Sequence, residues 1–142
     1  MKKIFCAVAF MGLASTAFAA EPVEITPELL ASQSWMSSAP IDESCEIPPL
    51  INFKKDGSLS GEPGCNDLIG NYVIGKDGSF QFQNMGVTRK MCAKKYMEME
   101  QEFLDMLNNT RYAKIIDGKI RFFDADKKEL GGIEKEKSGA CS

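Results

Sequence analysis

Five cysteines and no histidine bound the chemistry open to this 142-residue chain. Without an imidazole there is no Ser-His-Asp or Cys-His pair, no histidine-bearing zinc site and no ordinary base near neutrality. Acid–base work would fall to carboxylates, a lysine or a thiolate. The carboxylates show no catalytic spacing, being scattered through turns such as "FDADKK" and along one amphipathic segment. "DADKKE" has the oxygen-rich look of a calcium loop but lacks the glycine and the bidentate glutamate at the required spacing, and reads as a solvated β-turn. These residues predict no enzyme active site, no metal and no cofactor.

The sulfur atoms remain. Cys65 sits at the centre of "SGEPGCNDLIGNY" (60–72), a polar, glycine-punctuated loop, as a nucleophile, a metal ligand or a structural staple. The compartment bears on that choice. Lys2 and Lys3, the apolar run "IFCAVAFMGLASTAFA" and Ala17-Phe18-Ala19 read as a secretory signal over residues 1–19. The run is too short and too rich in Ala and Gly to span a membrane, and Cys6 within it lies too early for a lipoprotein cysteine. The expectation is a soluble periplasmic or secreted protein with one domain, residues 20–142, that is monomeric by default.

That mature chain keeps Cys45, Cys65, Cys92 and Cys141. An even number of cysteines in an oxidising compartment reads as disulfides, and no two stand at the C-x-x-C spacing of a metal or redox motif. The net charge of −3 becomes two units more negative once Lys2 and Lys3 depart. A mildly acidic surface of mixed sign favours neither nucleic acid nor membrane as a partner.

The elements that must position these residues are mostly strands. Three Asp-Gly turns, at 56–57, 77–78 and 117–118, separate short alternating runs: "LINFKK" from "SLSG", "GNYVIG" from "SFQFQ", and "RYAKII" from "KIRFF". Asp-Gly between alternating apolar residues is a strong hairpin signal, because both turn positions favour positive φ. Alternation pairs Ile51 with Phe53, Tyr72 with Ile74, Phe80 with Phe82 and Ile120 with Phe122, with the Phe pairs inward. "ELGGI" reads as a last strand weakened by Gly131 and Gly132. Before the first hairpin, Thr26 and Pro27 predict a short helical turn, followed by a strand over 33–37 with Trp35 and a loop over "APIDESCEIPP". One segment changes period. Residues 94–109 gather Tyr96, Met99, Phe103, Met106 and Leu107 on one face and predict an amphipathic helix lying on the sheet as a lid. The expected fold class is α+β, predominantly β: a small antiparallel meander or barrel-like sheet with one packed helix.

The order Leu30-x4-Trp35, a hairpin, "GEPGCNDLIGNY", "FQNMGVTRKMC" and a helix containing "EQEFLDML" resembles the META domain family, which includes HslJ-like heat-shock proteins of the bacterial envelope. The matching positions are Gly64, Cys65, Asn66, Gly70 and Tyr72, then Met85, Thr88, Arg89, Met91 and Cys92, then Glu100, Phe103 and Leu107. The resemblance implies a small antiparallel β fold with a packed helix and an association with envelope stress, but no reaction. Cys45 and Cys141 lie outside the two motifs. With the resemblance, the preferred pairing is Cys65 with Cys92 and Cys45 with Cys141. A 65–92 bridge closes a loop of about 28 residues, worth about 3–4 kcal/mol on the chain-entropy model. Pairing 45 with 65 and 92 with 141 stays open as an alternative.

Beside the cysteines, Asn66 either meets a ligand or closes a turn on its own backbone. Arg89 either recognises an anion or bridges Glu62 or Asp67. Gly64 and Gly70 supply positive φ or close backbone approach. Three functions follow. The first is a non-enzymatic, disulfide-stapled envelope module that binds a protein or peptide, with Asn66, Asp67 and Arg89 as candidate contacts. The second is an inhibitor of an exported protease or lysozyme-type hydrolase, with "GEPGCND" as the inserted loop. The third, a thiol redox protein using Cys65 or Cys92, is the weakest, since Cys92 between Lys90 and Lys94 meets only part of what an activated thiolate needs.

Overall fold

The computed structural model describes Gly12, residues 23–41 and residues 46–137. Apart from Gly12, the expected signal segment lies outside the described residues, as do Cys45 and Cys141. The chain enters through α1 (Pro27–Ala31), where Thr26 Oγ1 accepts from Leu29 N at 3.1 Å and Pro27 takes a first-turn position that needs no donor. Trp35 Nε1 donates to the Leu30 carbonyl at 2.9 Å, so the indole is buried without losing its hydrogen bond. Trp35 is core.

Eight strands follow: β1 (Trp35–Ser37), β2 (Leu50–Phe53), β3 (Ser58–Glu62), β4 (Leu68–Ile74), β5 (Phe80–Val87), β6 (Tyr112–Ile116), β7 (Lys119–Phe123) and β8 (Glu129–Lys135). Helix α2 (Lys94–Asn109) lies between β5 and β6 in the chain. Every pairing is antiparallel and the spatial order is β5-β4-β3-β2-β1-β8-β7-β6. Two meanders are thus joined through the first and last strands, with Trp35 opposite Lys135 and Ser37 opposite Ile133.

The sheet curls into a half-barrel whose end strands approach at one point. There Ser79 bridges Tyr112, Phe80 N donates to Arg111 O at 2.8 Å, and Ala113 N donates to Gly78 O at 3.0 Å. Helix α2 packs against β5, β7 and β8 and covers the apolar interior. Ile51, Phe53, Tyr72, Phe80, Phe82, Ile120 and Phe122 are all buried, as alternation predicts, and Phe103 and Leu107 come down on them from α2. Phe82 meets Phe122 edge to face at 5.5 Å, an arrangement the ring quadrupoles favour. Each fully buried aromatic or aliphatic side chain contributes about 1.5–3 kcal/mol by leaving water.

Two local findings differ from the sequence expectation. Positive φ at both turn residues holds for Asp77-Gly78 and Asp117-Gly118, but at the first hairpin only Gly57 (φ 91°) is left-handed. The loop there takes in Lys55 as well, Lys54 N donates to Ser58 O, and the Asp56 carboxylate accepts from Ser58 Oγ at 2.6 Å and Ser58 N at 2.9 Å. Those bonds, the side-chain one first, hold the Asp56 carboxyl below its ordinary range. The second finding concerns Gly131 and Gly132, which do not weaken the last strand. A Cβ on Gly132 would stand 2.3 Å from Ile120 O, and one on Gly131 would stand 2.9 Å from Met106 Sδ. Their bareness lets β8 run as a seven-residue interior strand beneath α2.

Candidate functional site

Strands β4 and β5 pair with Leu68 opposite Val87, so the connections leading into β4 and out of β5 lie side by side. The first carries Gly64-Cys65-Asn66-Asp67 and the second carries Thr88 to Ala93. Thr88 N donates to Asp67 O at 3.1 Å, and Asp67 N donates to Thr88 Oγ1 at 3.0 Å. A disulfide then joins Cys65 to Cys92, with the Cα atoms 5.8 Å apart. The preferred motif pair is therefore bonded, leaving no sulfur for the 45–65 and 92–141 alternative.

Beneath the disulfide lies a buried polar knot. Glu100 on α2 and Asn66 are only 5% and 4% exposed, which makes every one of their hydrogen bonds matter. Glu100 Oε1 accepts from Asn66 N at 2.7 Å and from Cys65 N at 3.3 Å, while Oε2 accepts from Asn66 Nδ2 at 2.7 Å. The other end of the Asn66 amide, Oδ1, accepts from Lys90 N at 2.6 Å and Thr88 Oγ1 at 3.1 Å. Asn66 thus links helix, loop and the segment after β5, rather than closing a turn on its own backbone. Its orientation is forced: Lys90 N can only donate, so Oδ1 faces Lys90 and Nδ2 faces Glu100.

Gly64 makes this approach possible. A Cβ there would stand 2.6 Å from Tyr96 O and 2.9 Å from Glu100 Cβ. Gly70 is tight for a similar reason, its Cβ position lying 2.9 Å from Met85 Sδ. Of the two options the sequence offered, both glycines serve close approach, since neither has positive φ.

The remaining candidates separate. Asp67 is bridged by Lys90 (Nζ to Oδ2, 3.1 Å), not by Arg89. With both side chains more than half exposed, that pair contributes at most about 1 kcal/mol. Arg89 is exposed and has no hydrogen-bond or ion-pair partner among the described residues. The "GEPGCND" loop does not project, because Pro63 and Asn66 are buried and Gly64 backs onto α2. What projects is the neighbouring segment: every residue from Val87 to Lys95 is exposed. Thr88 and Glu100 are positions of the family motifs, yet their roles escape sequence reading, since nothing local shows a mid-helix glutamate meeting amides 34 and 35 residues away.

The model of the META domain matches residues 30–137, a span that includes both connections, the disulfide and Glu100. The chain belongs to the META domain family. Among curated proteins none matches the sequence. This META domain is similar in fold to a protein from Burkholderia xenovorans solved by NMR, at 19% identity and a TM-score of 0.61, covering 84% of this chain and 96% of that one. A second NMR structure gives 22% identity and a TM-score of 0.61 over 79% of this chain and 96% of the other. A crystal structure of a DUF4847 family protein from Bacteroides vulgatus gives 19% identity and a TM-score of 0.51 over 78% and 98%. At these identities the likeness is one of fold alone.

Proposed function

We propose that this META domain is an exported, non-enzymatic binding module whose contact element is the extended segment Thr88–Ala93. The observation that carries the reading is a division of labour along that segment. Thr88, Lys90 and Cys92 are tied down, through Asp67, Asn66 and Cys65, while Arg89 and Met91 between them face solvent, Met91 at 88% exposure. A segment held rigid before a partner arrives loses little entropy on binding, which favours affinity. The lack of histidine and the covalent bond between the two motif thiols support a role in contact rather than turnover.

A photo-crosslinking residue placed at Met91 tests this directly in envelope extracts. It is expected to trap a partner of defined mass that unlabelled protein competes away, whereas the same probe at Lys55, in the β2–β3 turn, traps none. Equal labelling from both positions, or none from Met91, defeats the proposal. Cysteine pairing gives a second check. With Cys65 and Cys92 joined, Cys45 is expected to pair with Cys141, so peptide mapping of the unreduced exported protein should find two linked pairs. A free thiol at Cys92 would reopen the redox reading.

A further inference from the structure

We infer that the segment around Arg89 is a substrate-like inhibitory loop for serine proteases with an acidic specificity pocket, the Arg89–Lys90 peptide bond being the one presented. This rests on the binding-module reading above and names its partner class.

The argument begins with the backbone. Residues 88–93 contain no turn, bend or helix, and Ala93 (φ −57°, ψ 148°) enters α2 from an extended backbone conformation. Proteases take their substrates extended, pairing with backbone groups on either side of the specificity residue, while an acidic pocket of the trypsin kind selects Arg or Lys. Arg89 is the basic side chain left free to enter such a pocket, because Lys90 Nζ is on Asp67. The backbone N–H and C=O of Arg89 and the N–H of Met91 make no hydrogen bond among the described residues, so they remain available to a protease. Exposed Val87 and Met91, each two residues from Arg89 along the chain, supply apolar contact at the flanks.

Anchoring is what separates an inhibitor from a substrate. Hydrolysis adds water across the Arg89–Lys90 bond and leaves a carboxylate on Arg89 and an ammonium group on Lys90. Here neither new end could depart. Thr88 N stays on Asp67 O at 3.1 Å, Asn66 Oδ1 still reaches Thr88 Oγ1 and the Lys90 nitrogen, and Cys92 stays covalently joined to Cys65. The ends are kept where the reverse condensation, expelling the same water, competes with release. The Asn66 side chain spans the presented bond from below, and Glu100 in turn fixes the orientation of that side chain.

The test is inhibition of trypsin by the oxidised full exported protein, read with a chromogenic arginine substrate and with chymotrypsin as the control that lacks an acidic pocket. Wild type is expected to inhibit trypsin reversibly at micromolar concentration or below and to spare chymotrypsin. Arg89→Ala is expected to weaken inhibition at least about 100-fold, Arg89→Lys by less than about 10-fold, and Arg89→Leu to transfer inhibition towards chymotrypsin. Since Arg89 is exposed and makes no hydrogen bond or ion pair among the described residues, these variants should fold as wild type, which circular dichroism verifies. No inhibition by wild type, equal inhibition by Arg89→Ala, or steady cutting at Arg89–Lys90 with release of active trypsin would each overturn the inference. If trypsin is untouched while crosslinking from Met91 persists, only the partner class is wrong. Loss of both removes the binding reading too.

Discussion

Glu100→Ala is expected to destabilise the domain by about 3–5 kcal/mol and lower its melting temperature by about 10 °C or more. The reason is the number of donors that lose their acceptor at once. Cys65 N, Asn66 N and Asn66 Nδ2 all converge on this one carboxylate, and the site is nearly closed to water. Each buried N–H left without a partner costs about 1–3 kcal/mol, and the missing side chain also leaves a void under the loop. Glu100→Gln should fall between wild type and Ala. Its oxygen can serve the two backbone amides, but its NH2 group then confronts Asn66 Nδ2, and Asn66 cannot flip because Lys90 N requires Oδ1. Urea unfolding of the three proteins measures the order; a Gln variant as stable as wild type would show that the knot does not impose this polarity.

Removing the Cys65–Cys92 bond, as Cys65→Ser with Cys92→Ser, should cost about 3–4 kcal/mol on the chain-entropy model. Against a total stability of about 5–15 kcal/mol, that is a large share. The bond and the Glu100 knot hold the same two connections together, so the losses should not simply add. Once Ser replaces both cysteines, the segment after β5 is freer to leave Asn66, and Glu100→Ala has less left to disrupt. A double-mutant cycle should give a coupling of about 1–2 kcal/mol, the triple variant being more stable than the sum of losses implies. Strict additivity would mean that the disulfide and the polar knot act on separate parts of the molecule.

Much of the scaffold was legible because it is local. The Asp-Gly turns announce the hairpins, alternation from Phe80 to Phe82 and from Ile120 to Phe122 identifies the inner face, and the periodicity from Tyr96 to Leu107 gives α2 to the residue. Harder to read was whatever depends on pairing between distant residues. Strand β1 is three residues long and has as its neighbours β2 and the far end of the chain, a register that no local pattern encodes. Gly131 and Gly132 look like strand breakers until Met106 and Ile120 are seen against them.

The candidate site divides in the same manner. Motif resemblance reached Cys65 and Cys92 together, because the family pattern carries both. The choice between Arg89 and Lys90 as the partner of Asp67 turns on which way adjacent side chains point along an extended segment, and that is set by anchors 23 to 27 residues away. Likewise, exposure of the segment after β5, and not of the "GEPGCND" loop, follows from which connection happens to lie under α2.

The partnership of β1 with β8 has a bearing on how the molecule is made. During synthesis, Trp35 to Ser37 emerge long before Ile133 to Lys135, and until those late residues arrive one margin of the early meander stays open to self-association. Closure waits for nearly the whole polypeptide, and contacts of such wide separation make for slow assembly. A chain truncated before Glu129 would lose the strand that joins its two halves, however well its three Asp-Gly hairpins form on their own.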